Sequence, residues 1–476
     1  SDPATYGAEG PVETITTHSA HVFLVGARAY KIKRAVRYNY LDFTGLEPRR
    51  RVLERELELN RPAAPMIYDR VVPVTREASG RLALNGAGAP VEYVLCMNRF
   101  EREKELTRIA EAGGLTDALA ERLGLAVADL HGKAATRDAA GAELIGEIIE
   151  ELRDAFAGME ETLGAGRLAA WFEGADALNG ALKAVLDRRS REGFVRRCHG
   201  DLHLKNLVLI DGDVVPFDAL EFDERLGTCD VFYDFAFLVM DLLHRGLDAQ
   251  ANTVLNAYLR KTRDHDGLSA LPLFLSVRAA IRSMVAVQTM SGTVPDATAR
   301  EARAYLEEAI AYLAPPPARL VAVGGLSGTG KTTVARRIAP GLGAAPGAVH
   351  LRSDLERKAM FGVAPEDRLP DDAYAADVSD AVYARLTEAA ASIVGSGHAA
   401  ILDATFLDAG ERDAVAALAG RLGVALEGVW LTADRAVLEA RVAAREGDAS
   451  DADVAVLHRQ LSRQDTAPAG WSVVAA

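Results

Sequence analysis

A glycine-rich segment, GLSGTGKT at residues 325–332, restricts the possible folds of this chain more than any other feature. An apolar run at 320–323 precedes it, and a helix-like stretch at 334–339 follows it. In a strand, loop and helix of this kind, glycines allow a tight turn whose successive backbone N–H groups point at phosphate oxygens. The segment therefore predicts a nucleoside triphosphate site. A glycine-rich turn without a ligand is the alternative.

The residue types within this phosphate loop predict individual roles. Lys331 is expected to reach the β and γ phosphates and to take part in catalysis, and Thr332 is expected to ligate Mg²⁺. The N-terminus of the following helix adds a favourable dipole. The predicted nucleotide-binding residues of the loop are Gly325, Ser327, Gly328, Thr329, Gly330, Lys331, Thr332 and Thr333.

The order of apolar and helix-like segments divides the 476 residues into two halves, because the chain is too long for one ordinary core. Residues 1–100 are rich in predicted strands, with one helix at about 47–60, and residues 101–314 are mostly helical. Three prolines at 315–317 form a stiff spacer. In residues 318–476, short apolar runs alternate with helical segments, which is typical of a parallel sheet. We expect a two-lobed α+β domain followed by an α/β domain.

Charge and cysteine content narrow the functional classes. A net charge of −14 argues against non-specific binding to nucleic acid or to a membrane surface, although a local basic groove stays open. Cys96, Cys198 and Cys229 lack paired metal-ligand spacing, which predicts buried free thiols in a reducing compartment. The most apolar long stretch, 231–243, contains two aspartates, and no signal-peptide pattern opens the sequence. We expect a cytoplasmic protein without a membrane span.

A second set of chemical residues lies at 199–206, which reads HGDLHLKN, with Asp218 after a turn at 211–213. Phosphoryl transfer from a metal-bound nucleotide requires a carboxylate that orients the attacking hydroxyl and oxygen ligands that hold Mg²⁺. Asp201 meets the first requirement and is the predicted catalytic base. Asn206 and Asp218 meet the second and are the predicted metal ligands.

This segment resembles the catalytic loop of aminoglycoside phosphotransferase-like kinases, whose HGDxHxxN pattern matches residues 199–206 position by position. The resemblance extends over roughly residues 1–314 and implies a kinase-like fold with an N-lobe at 1–100 and a helical C-lobe at 101–314. It implies that Lys31 pairs with the α and β phosphates and that Glu56 pairs with this lysine. Met97 is included among the nucleotide-binding residues.

Several assignments within this half stay open. Lys33 lies on the same strand face as Lys31, and Glu54 competes with Glu56. His199 is expected to be structural because Asp201 already supplies a base. The resemblance further implies that Asp230 and Asp234 brace the catalytic loop. Residues 16–21 contain no glycine where a protein kinase has its glycine-rich loop, a departure that small-molecule kinases of this class often share. ATP and GTP both stay open as candidate cofactors.

The phosphate-loop half carries its own candidate catalytic residues. Asp354 follows an apolar run at 348–351, and the carboxyl ends of strands line the ligand crevice in open α/β sheets. Asp354 is therefore predicted to orient an acceptor hydroxyl, with Arg357 stabilising negative charge nearby. Asp403 ends the run 399–402 and is predicted to bind Mg²⁺ or its water shell, although capping of the next turn is the alternative.

Two arginines complete this candidate site. Arg441 and Arg445 are spaced i and i+4 on a predicted helix, so both can face a transferring phosphoryl group. The alternative is that these arginines are solvated or paired with Glu439 or Asp434.

The second half resembles the P-loop kinases that include gluconate kinases, polynucleotide 5′-kinases and zeta-type toxins. The matching segments, in order, are GLSGTGKT, RSDxxRK at 352–358, ILDAT at 401–405 and RVAAR at 441–445. The whole chain resembles a fusion of the two kinase types. This implies a phosphotransferase that uses ATP (or GTP) and Mg²⁺ at two sites to phosphorylate hydroxyl groups of sugars, polyols, nucleosides or aminoglycoside-like molecules.

Two alternative functions remain open at this point. One is a single kinase-like catalytic domain regulated by a nucleotide-sensing P-loop domain. The other is a polynucleotide 5′-hydroxyl kinase, which the acidic composition makes less favourable.

Overall fold

The computed structural model describes residues 3–6, 11–17, 19–38, 41–290, 294–444, 449–463 and 467–475. Contacts within the chain define two compact units. The first comprises residues 1–144 and 184–241, and the second comprises residues 145–183 and 242–476. Helical segments that precede the proline spacer are thus grouped with the phosphate-loop sheet, and the linear domain boundaries stay a prediction.

The first unit contains most of the strands of the chain. Its helices in the first 144 residues are α1 (Leu46–Asn60), α2 (Leu106–Glu111) and α3 (Asp117–Lys133). The strands are β1 (Glu13–Thr16), β2 (Ala20–Val25), β3 (Arg28–Lys33), β4 (Arg37–Tyr38), β5 (Leu41–Asp42), β6 (Tyr68–Arg76), β7 (Leu82–Leu84), β8 (Ala89–Asn98), β9 (Val195–Arg197), β10 (Leu207–Ile210), β11 (Asp213–Pro216) and β12 (Thr228–Asp230).

Six of these strands form an antiparallel sheet in the order β1-β2-β3-β8-β6-β7, and β10-β11, β9-β12 and β4-β5 form three small antiparallel pairs. Alternating side chains of the sheet pack on α1, whose residues Leu53, Glu56 and Asn60 are buried. Their spacing of three and four places them on one face of the helix. This register turns the carboxylate of Glu56 into the core, toward the face of β3 that carries two lysines.

The remaining helices run through the middle of the chain and into the second unit. They are α4 (Gly141–Phe156), α5 (Glu160–Leu163), α6 (Ala165–Arg191), α7 (Val231–His244), α8 (Asp248–Thr262), α9 (Leu271–Gln288), α10 (Asp296–Tyr312), α11 (Lys331–Ile338), α12 (Ser353–Met360), α13 (Ala376–Gly395), α14 (Ala409–Leu422), α15 (Arg435–Ala443) and α16 (Val454–Arg463).

The second unit is built around a parallel sheet. Its strands are β13 (Leu320–Gly325), β14 (Val349–Arg352), β15 (Ala400–Asp403), β16 (Leu426–Thr432) and β17 (Ser472–Ala475), in the order β14-β15-β13-β16-β17. The central strand β13 is buried along its whole length, as expected for a parallel strand covered on both faces. Its side chains pack with α11 and with β15 and β16. The predicted fold class is confirmed for both halves.

Two further features bear on location. By length and composition, α9 is the one helix in the described part of the chain that is apolar enough to cross a bilayer, and 61% of its window is buried inside the protein. Buried core helices of water-soluble proteins meet the same criterion. The three cysteines are free and buried.

Candidate active sites

The first candidate site centres on Lys31, which lies on β3. Its Nζ donates to Oε1 of Glu56 at 2.7 Å and to Oδ1 of Asp218 at 2.7 Å. Lys33, two residues on and on the same strand face, lies 2.8 Å from Oε2 of Glu56 and 2.6 Å from Oε1 of Glu221. Of these two lysines, Lys31 is the one that is hydrogen-bonded to Asp218 among the described contacts. Both lysines therefore share Glu56, while Lys31 also reaches the loop that carries the candidate metal ligand.

The competing acid on α1 faces away from this cluster. Glu54 is exposed and accepts a hydrogen bond from Arg50 on the same helix at 2.9 Å. Glu56 is fully buried. Adjacent residues on a helix point in directions about 100° apart, and two positions separate these glutamates, so they cannot share one face.

Charge compensation sets the protonation of this cluster. Burial disfavours the ammonium form of Lys31, but the Asp218 and Glu56 carboxylates outweigh it and hold the lysine pKa well above its ordinary value. Burial would raise the pKa of Asp218, yet Lys31 and Lys33 lower it. Lysine and carboxylate are therefore both charged near neutral pH, as phosphate and Mg²⁺ binding require.

Asp218 lies in an unusual backbone conformation. Its φ of 62° falls in the left-handed region, which costs a non-glycine residue about 1 kcal/mol or more. Neighbours on both sides fix it: the Asp218 N–H donates to the hydroxyl of Tyr68, and the Ala219 N–H donates to Oδ1 of Asn60. Asn60 is buried on α1, one turn beyond Glu56. Helix α1 thus positions both Glu56, the partner of Lys31, and the segment that carries Asp218.

The catalytic-loop segment is held by a buried aspartate on α7. Asp234 accepts hydrogen bonds from the backbone N–H groups of His199 at 3.1 Å and Gly200 at 2.8 Å. Its Oδ2 also lies 3.1 Å from Nε2 of His131. The resemblance implied such a bracing role for Asp234. Asp230, the other residue of that prediction, instead pairs with the buried guanidinium of Arg189 at 2.7 Å.

Asp201 and Asn206 lie together at the open end of this loop. The Asn206 amide donates to Oδ2 of Asp201 at 2.8 Å and to its backbone oxygen at 2.9 Å. The ring of His199 is buried, and its Nε2 lies 2.9 Å from the carbonyl oxygen of Phe217. Burial lowers the pKa of His199, which favours a neutral ring. This geometry fits a structural histidine beside an aspartate base.

Met97 lies near the end of β8, almost buried and paired in register with Ala29 of β3. The strand ends one residue later, at Asn98. A cavity of about 280 Å³ follows, lined by Ala27, Arg99, Phe100, Glu101, Arg102 and Glu103.

The second candidate site is the phosphate loop between β13 and α11. Gly325 has a φ of 137°, and a Cβ atom there would lie 2.6 Å from the carbonyl oxygen of Leu431. Gly328 has a φ of 87°, and its Cβ would lie 3.0 Å from the carbonyl oxygen of Leu438. Glycine is needed at both positions because a side chain would meet backbone atoms. The loop is therefore shaped as a close-fitting backbone cradle.

Side chains of the loop make few but specific contacts. Lys331 Nζ donates to the carbonyl oxygen of Leu326 at 3.0 Å, and Thr329 is buried with its hydroxyl donating to the same oxygen. The N–H of Ser327 donates to Oε1 of Gln460 on α16 at 2.9 Å. Gly330 directly precedes the first turn of α11, and Thr333 lies exposed within that turn.

A short hydrogen-bonded chain connects the loop to the neighbouring strands. The hydroxyl of Thr332 donates to Oδ2 of Asp403 at 2.7 Å, and Nε2 of His350 lies 3.0 Å from the same oxygen. Burial would raise the pKa of Asp403, but His350 and nearby cations lower it to about 2. Hydroxyl and carboxylate oxygens are the ligands that Mg²⁺ prefers, so Thr332 and Asp403 fit a magnesium site.

Asp354 is the second residue of α12 and lies just past the carboxyl end of β14. Burial raises its pKa, while Arg352 opposes this shift and Asp403 adds to it. A carboxylate with a raised pKa beside a lysine and a candidate metal ligand suits a general base. The parallel register places Arg352 opposite Asp403, which explains why residues from two strands meet here.

The three predicted arginines differ in their surroundings. Arg357 is buried and donates to the carbonyl oxygen of Ala373 at 2.6 Å, with its guanidinium 4.8 Å from the ring of Tyr374. Arg441 is exposed, and its Nη1 donates to the carbonyl oxygen of Gly328 at 3.3 Å. Arg445 lies outside the described residues.

Sequence reasoning missed several residues that these sites use, among them His350, Asp241 and Gln460. His350 interrupts the apolar pattern of β14, and Asp241 interrupts that of α7, where it accepts a hydrogen bond from the Leu204 N–H. A polar residue inside an apolar strand or helix is the signal that could have identified both. Gln460 lies on an amphipathic helix far along the chain and carries no such signal.

Comparison with known proteins places each half in a family. Residues 54–271 match the family described as phosphotransferase enzyme family, and residues 320–467 match a family described as AAA domain. An uncharacterized protein of Mycobacterium tuberculosis is 30% identical over 480 residues, covering 95% of this chain and 90% of the relative. A protein of Mycobacterium bovis matches to the same extent.

Solved structures resemble one half or the other. A choline/ethanolamine kinase family protein from Mesorhizobium loti is 17% identical with a TM-score of 0.43, covering 66% of this chain and 95% of that protein. A gluconokinase from Sinorhizobium meliloti is 25% identical with a TM-score of 0.24, covering 33% of this chain and 81% of that protein.

Proposed function

We propose a function from one premise: the chain belongs to the family in which a phosphotransferase domain is followed, on one polypeptide, by a P-loop kinase-like domain. The proposal is an enzyme with two nucleotide-dependent centres, each transferring a phosphoryl group to a hydroxyl of a small molecule. ATP is the proposed donor at both centres, with Mg²⁺. One observation carries this proposal: in each unit a lysine, a candidate carboxylate base and oxygen-bearing metal ligands come together.

At the first centre, Asp201 would accept the proton of the acceptor hydroxyl as the phosphoryl group is transferred. Lys31, held by Glu56, would bind the α and β phosphates. Asn206 and Asp218 supply amide and carboxylate oxygens suited to Mg²⁺. When bound, the ion would neutralise charge on the transferring phosphates.

At the second centre, the backbone N–H groups of the phosphate loop would cradle the phosphates, and Lys331 would leave the Leu326 carbonyl to contact them. Thr332 and Asp403 would hold the metal ion. Asp354 would accept the proton of a second hydroxyl, because its raised pKa makes it a stronger base than an ordinary aspartate. Arg357 and Arg441 are the proposed sources of positive charge.

A cytoplasmic location is part of this proposal and is supported by three buried free thiols. The acidic net charge favours a small molecule over nucleic acid as the acceptor.

The test uses purified protein, Mg²⁺ and γ-labelled ATP with a panel of sugars, polyols, nucleosides, aminoglycosides and a 5′-hydroxyl oligonucleotide. Asp201→Asn and Lys331→Ala are compared singly and together, with Arg336→Ala, exposed on α11, as a control. We expect each substitution to abolish transfer to a different acceptor. If neither changes any transfer, the proposal fails.

Other outcomes would select another function. Label on the oligonucleotide would identify a polynucleotide kinase. A single acceptor whose transfer is lost in Asp201→Asn and only altered kinetically in Lys331→Ala would make the P-loop domain a nucleotide sensor.

A further inference from the structure

The outer edge of the phosphate-loop sheet is covered by a helix that the family comparison assigns to the other half of the chain. Helix α8 (Asp248–Thr262) falls within residues 54–271, the match to the phosphotransferase family. It contacts β14, the strand at one edge of the parallel sheet. Both elements belong to the second compact unit. A helix inside the phosphotransferase-family match thus covers the edge of the sheet in the P-loop domain.

Two asparagines one turn apart on α8 make this contact. The Asn252 amide donates to the carbonyl oxygens of Pro346 at 3.2 Å and Ala348 at 3.0 Å. Asn256 accepts a hydrogen bond from the His350 N–H at 2.7 Å through its Oδ1. The Asn256 amide donates to Oδ1 of Asn252 at 3.0 Å, so the two side chains form one unit. We call Asn252 and Asn256 the asparagine pair; it bonds to the strand edge as a further strand would.

His350, which is hydrogen-bonded to the asparagine pair, also contacts the candidate metal site. The backbone of His350 bonds to Asn256, and its side chain lies 3.0 Å from Oδ2 of Asp403. That same oxygen accepts the hydroxyl hydrogen of Thr332 at 2.7 Å. His350 and Asp403 are both nearly buried, which restricts their rotation. A histidine that orients a ligating carboxylate acts as an outer-shell residue of a metal site.

A second contact holds the other side of the same segment. Arg263, at the C-terminal end of α8, donates to Oε2 of Glu356 at 2.6 Å, and Arg385 of α13 donates to Oε1 at 2.6 Å. Glu356 is buried on α12, two residues after Asp354. The segment from His350 to Glu356, which carries the proposed base, is therefore held at both ends by α8.

Packing alone does not account for these contacts. The helix buries Val254, Leu255 and Tyr258, and burial of each such side chain contributes about 1.5–3 kcal/mol. A hydrogen bond contributes only about 1 kcal/mol net. Burial of these side chains therefore helps to hold the helix in the second unit, while the directional bonds of the asparagine pair fix the position of His350 along the strand.

We propose that the asparagine pair is a positioning device of the P-loop centre. It sets His350, and through it Asp403 and Thr332, in the arrangement that holds a divalent cation with the nucleotide. This inference rests on the proposed function of that centre. It makes α8 of the phosphotransferase-family segment a structural component of the second nucleotide site.

The experiment follows hydrogen exchange by mass spectrometry in the full chain, because exchange of peptides covering residues 325–333 reports occupancy of this centre alone. ADP is titrated in EDTA, and Mg²⁺ is then titrated at a fixed ADP concentration. The variants are Asn256→Ala, Asn256→Gln, which keeps both the donor and the acceptor group, and Thr253→Ala. Thr253 lies on the same helix and bonds only to its own helix carbonyl at Ala249 in the described contacts.

In Asn256→Ala we expect faster exchange at residues 349–352 without ligand and a Mg²⁺ midpoint about tenfold higher, as for loss of an outer-shell partner. The ADP midpoint in EDTA should change less than about twofold, because phosphate contacts come from the loop backbone. Asn256→Gln should recover part of the Mg²⁺ affinity, and Thr253→Ala should match the wild type. Asn256→Gln also serves if Asn256→Ala does not fold.

Two results would overturn the inference while leaving the proposed function intact. One is an unchanged Mg²⁺ midpoint in both Asn256 variants. The other is an equal weakening of metal-free and metal-bound ADP, which would indicate general loss of structure. Absence of any protection by ADP in the wild type would instead overturn the proposed function of this centre, and the inference with it.

Discussion

The two candidate centres hold their charges in different ways. At the first centre, Lys31 meets two carboxylates that come from a helix 25 residues away and a loop 187 residues away. At the second centre, Lys331 and Thr332 are adjacent in one loop, which bonds to its own backbone and to Asp403 at the end of the neighbouring strand.

This difference indicates which perturbation each centre tolerates. The first depends on mutual neutralisation of buried charges, so loss of one charge should weaken both the fold and the site. The second depends on backbone geometry fixed by glycines, so loss of its lysine should weaken ligand binding and leave the fold intact. Three predictions test this contrast, and a fourth concerns the acid stability of the second unit.

The largest effect is expected for Asp201→Asn. Loss of the base should lower phosphoryl transfer at the first centre by about 10²–10⁴-fold, and transfer at the second centre should be unchanged. Steady-state rates with the acceptor of each centre measure this. Asp213→Asn, an exposed acid beyond the same loop, is the matched control. Equal rates in the two variants would remove Asp201 from the mechanism.

Lys331→Ala should lower the rate at the second centre by about 10²–10³-fold. The variant lacks the ammonium group that stabilises the negative charge developing on the transferring phosphoryl group. The thermal midpoint should stay near that of the wild type, because Lys331 is only partly buried, whereas Lys33 at the first centre is almost fully buried. Calorimetry and rate measurements on the same sample decide this. A large drop in the midpoint would contradict the contrast between the centres.

Glu56→Gln should act on the fold as well as on activity. Lys33 would remain almost buried with one carboxylate fewer, and breaking such a buried pair costs about 3–5 kcal/mol. Hydrogen exchange of β3 should therefore accelerate. Glu54→Gln, on the exposed face of α1, should change neither exchange nor rate. If both variants behave alike, the assignment of Glu56 as the lysine partner is wrong.

The smallest effect concerns acid stability of the second unit. Burial lowers the pKa of His398 to about 4, below its ordinary value of 6.5. The unfolded chain therefore binds this proton more readily, and the free energy of unfolding should fall as pH drops from about 7 to 4, by about 2–3 kcal/mol in total.

Tryptophan fluorescence isolates this unit, because Trp171, Trp430 and Trp471 all belong to it. Denaturation midpoints of the wild type should decline between pH 7 and pH 5 more steeply than those of His398→Gln. Parallel declines would mean that other groups set the acid sensitivity.

Much of the fold was predictable because its signals are local. The apolar run of β13 and the glycines after it predicted a buried parallel strand and a tight turn, and the confirmed fold class follows from them. The boundaries of α1 were predicted to within a residue or two, since the helix carries leucines at helical spacing. The family comparison likewise confirms the resemblance that HGDLHLKN and GLSGTGKT suggested.

The site residues were predictable only where a motif fixed them. Asp201, Asn206 and Asp218 come from one contiguous segment, whereas the choice between Lys31 and Lys33 needed the contact that each lysine makes with residues 218–221. His350 gave only a weak signal, a polar residue in an apolar strand. Gln460 and the asparagine pair gave none, because their partners are backbone atoms distant in sequence. Their functional roles stay predictions.

The sequence by itself determined the local patterns of this protein: two kinase-type motifs, each with its strand, turn and acid, because backbone geometry and residue type act over a few neighbouring positions. The tertiary structure alone decided which charges neutralise each other, which acid on α1 faces the lysine, and that α8 closes the sheet of the phosphate loop. These depend on register and packing between segments up to 187 residues apart, which no local pattern encodes.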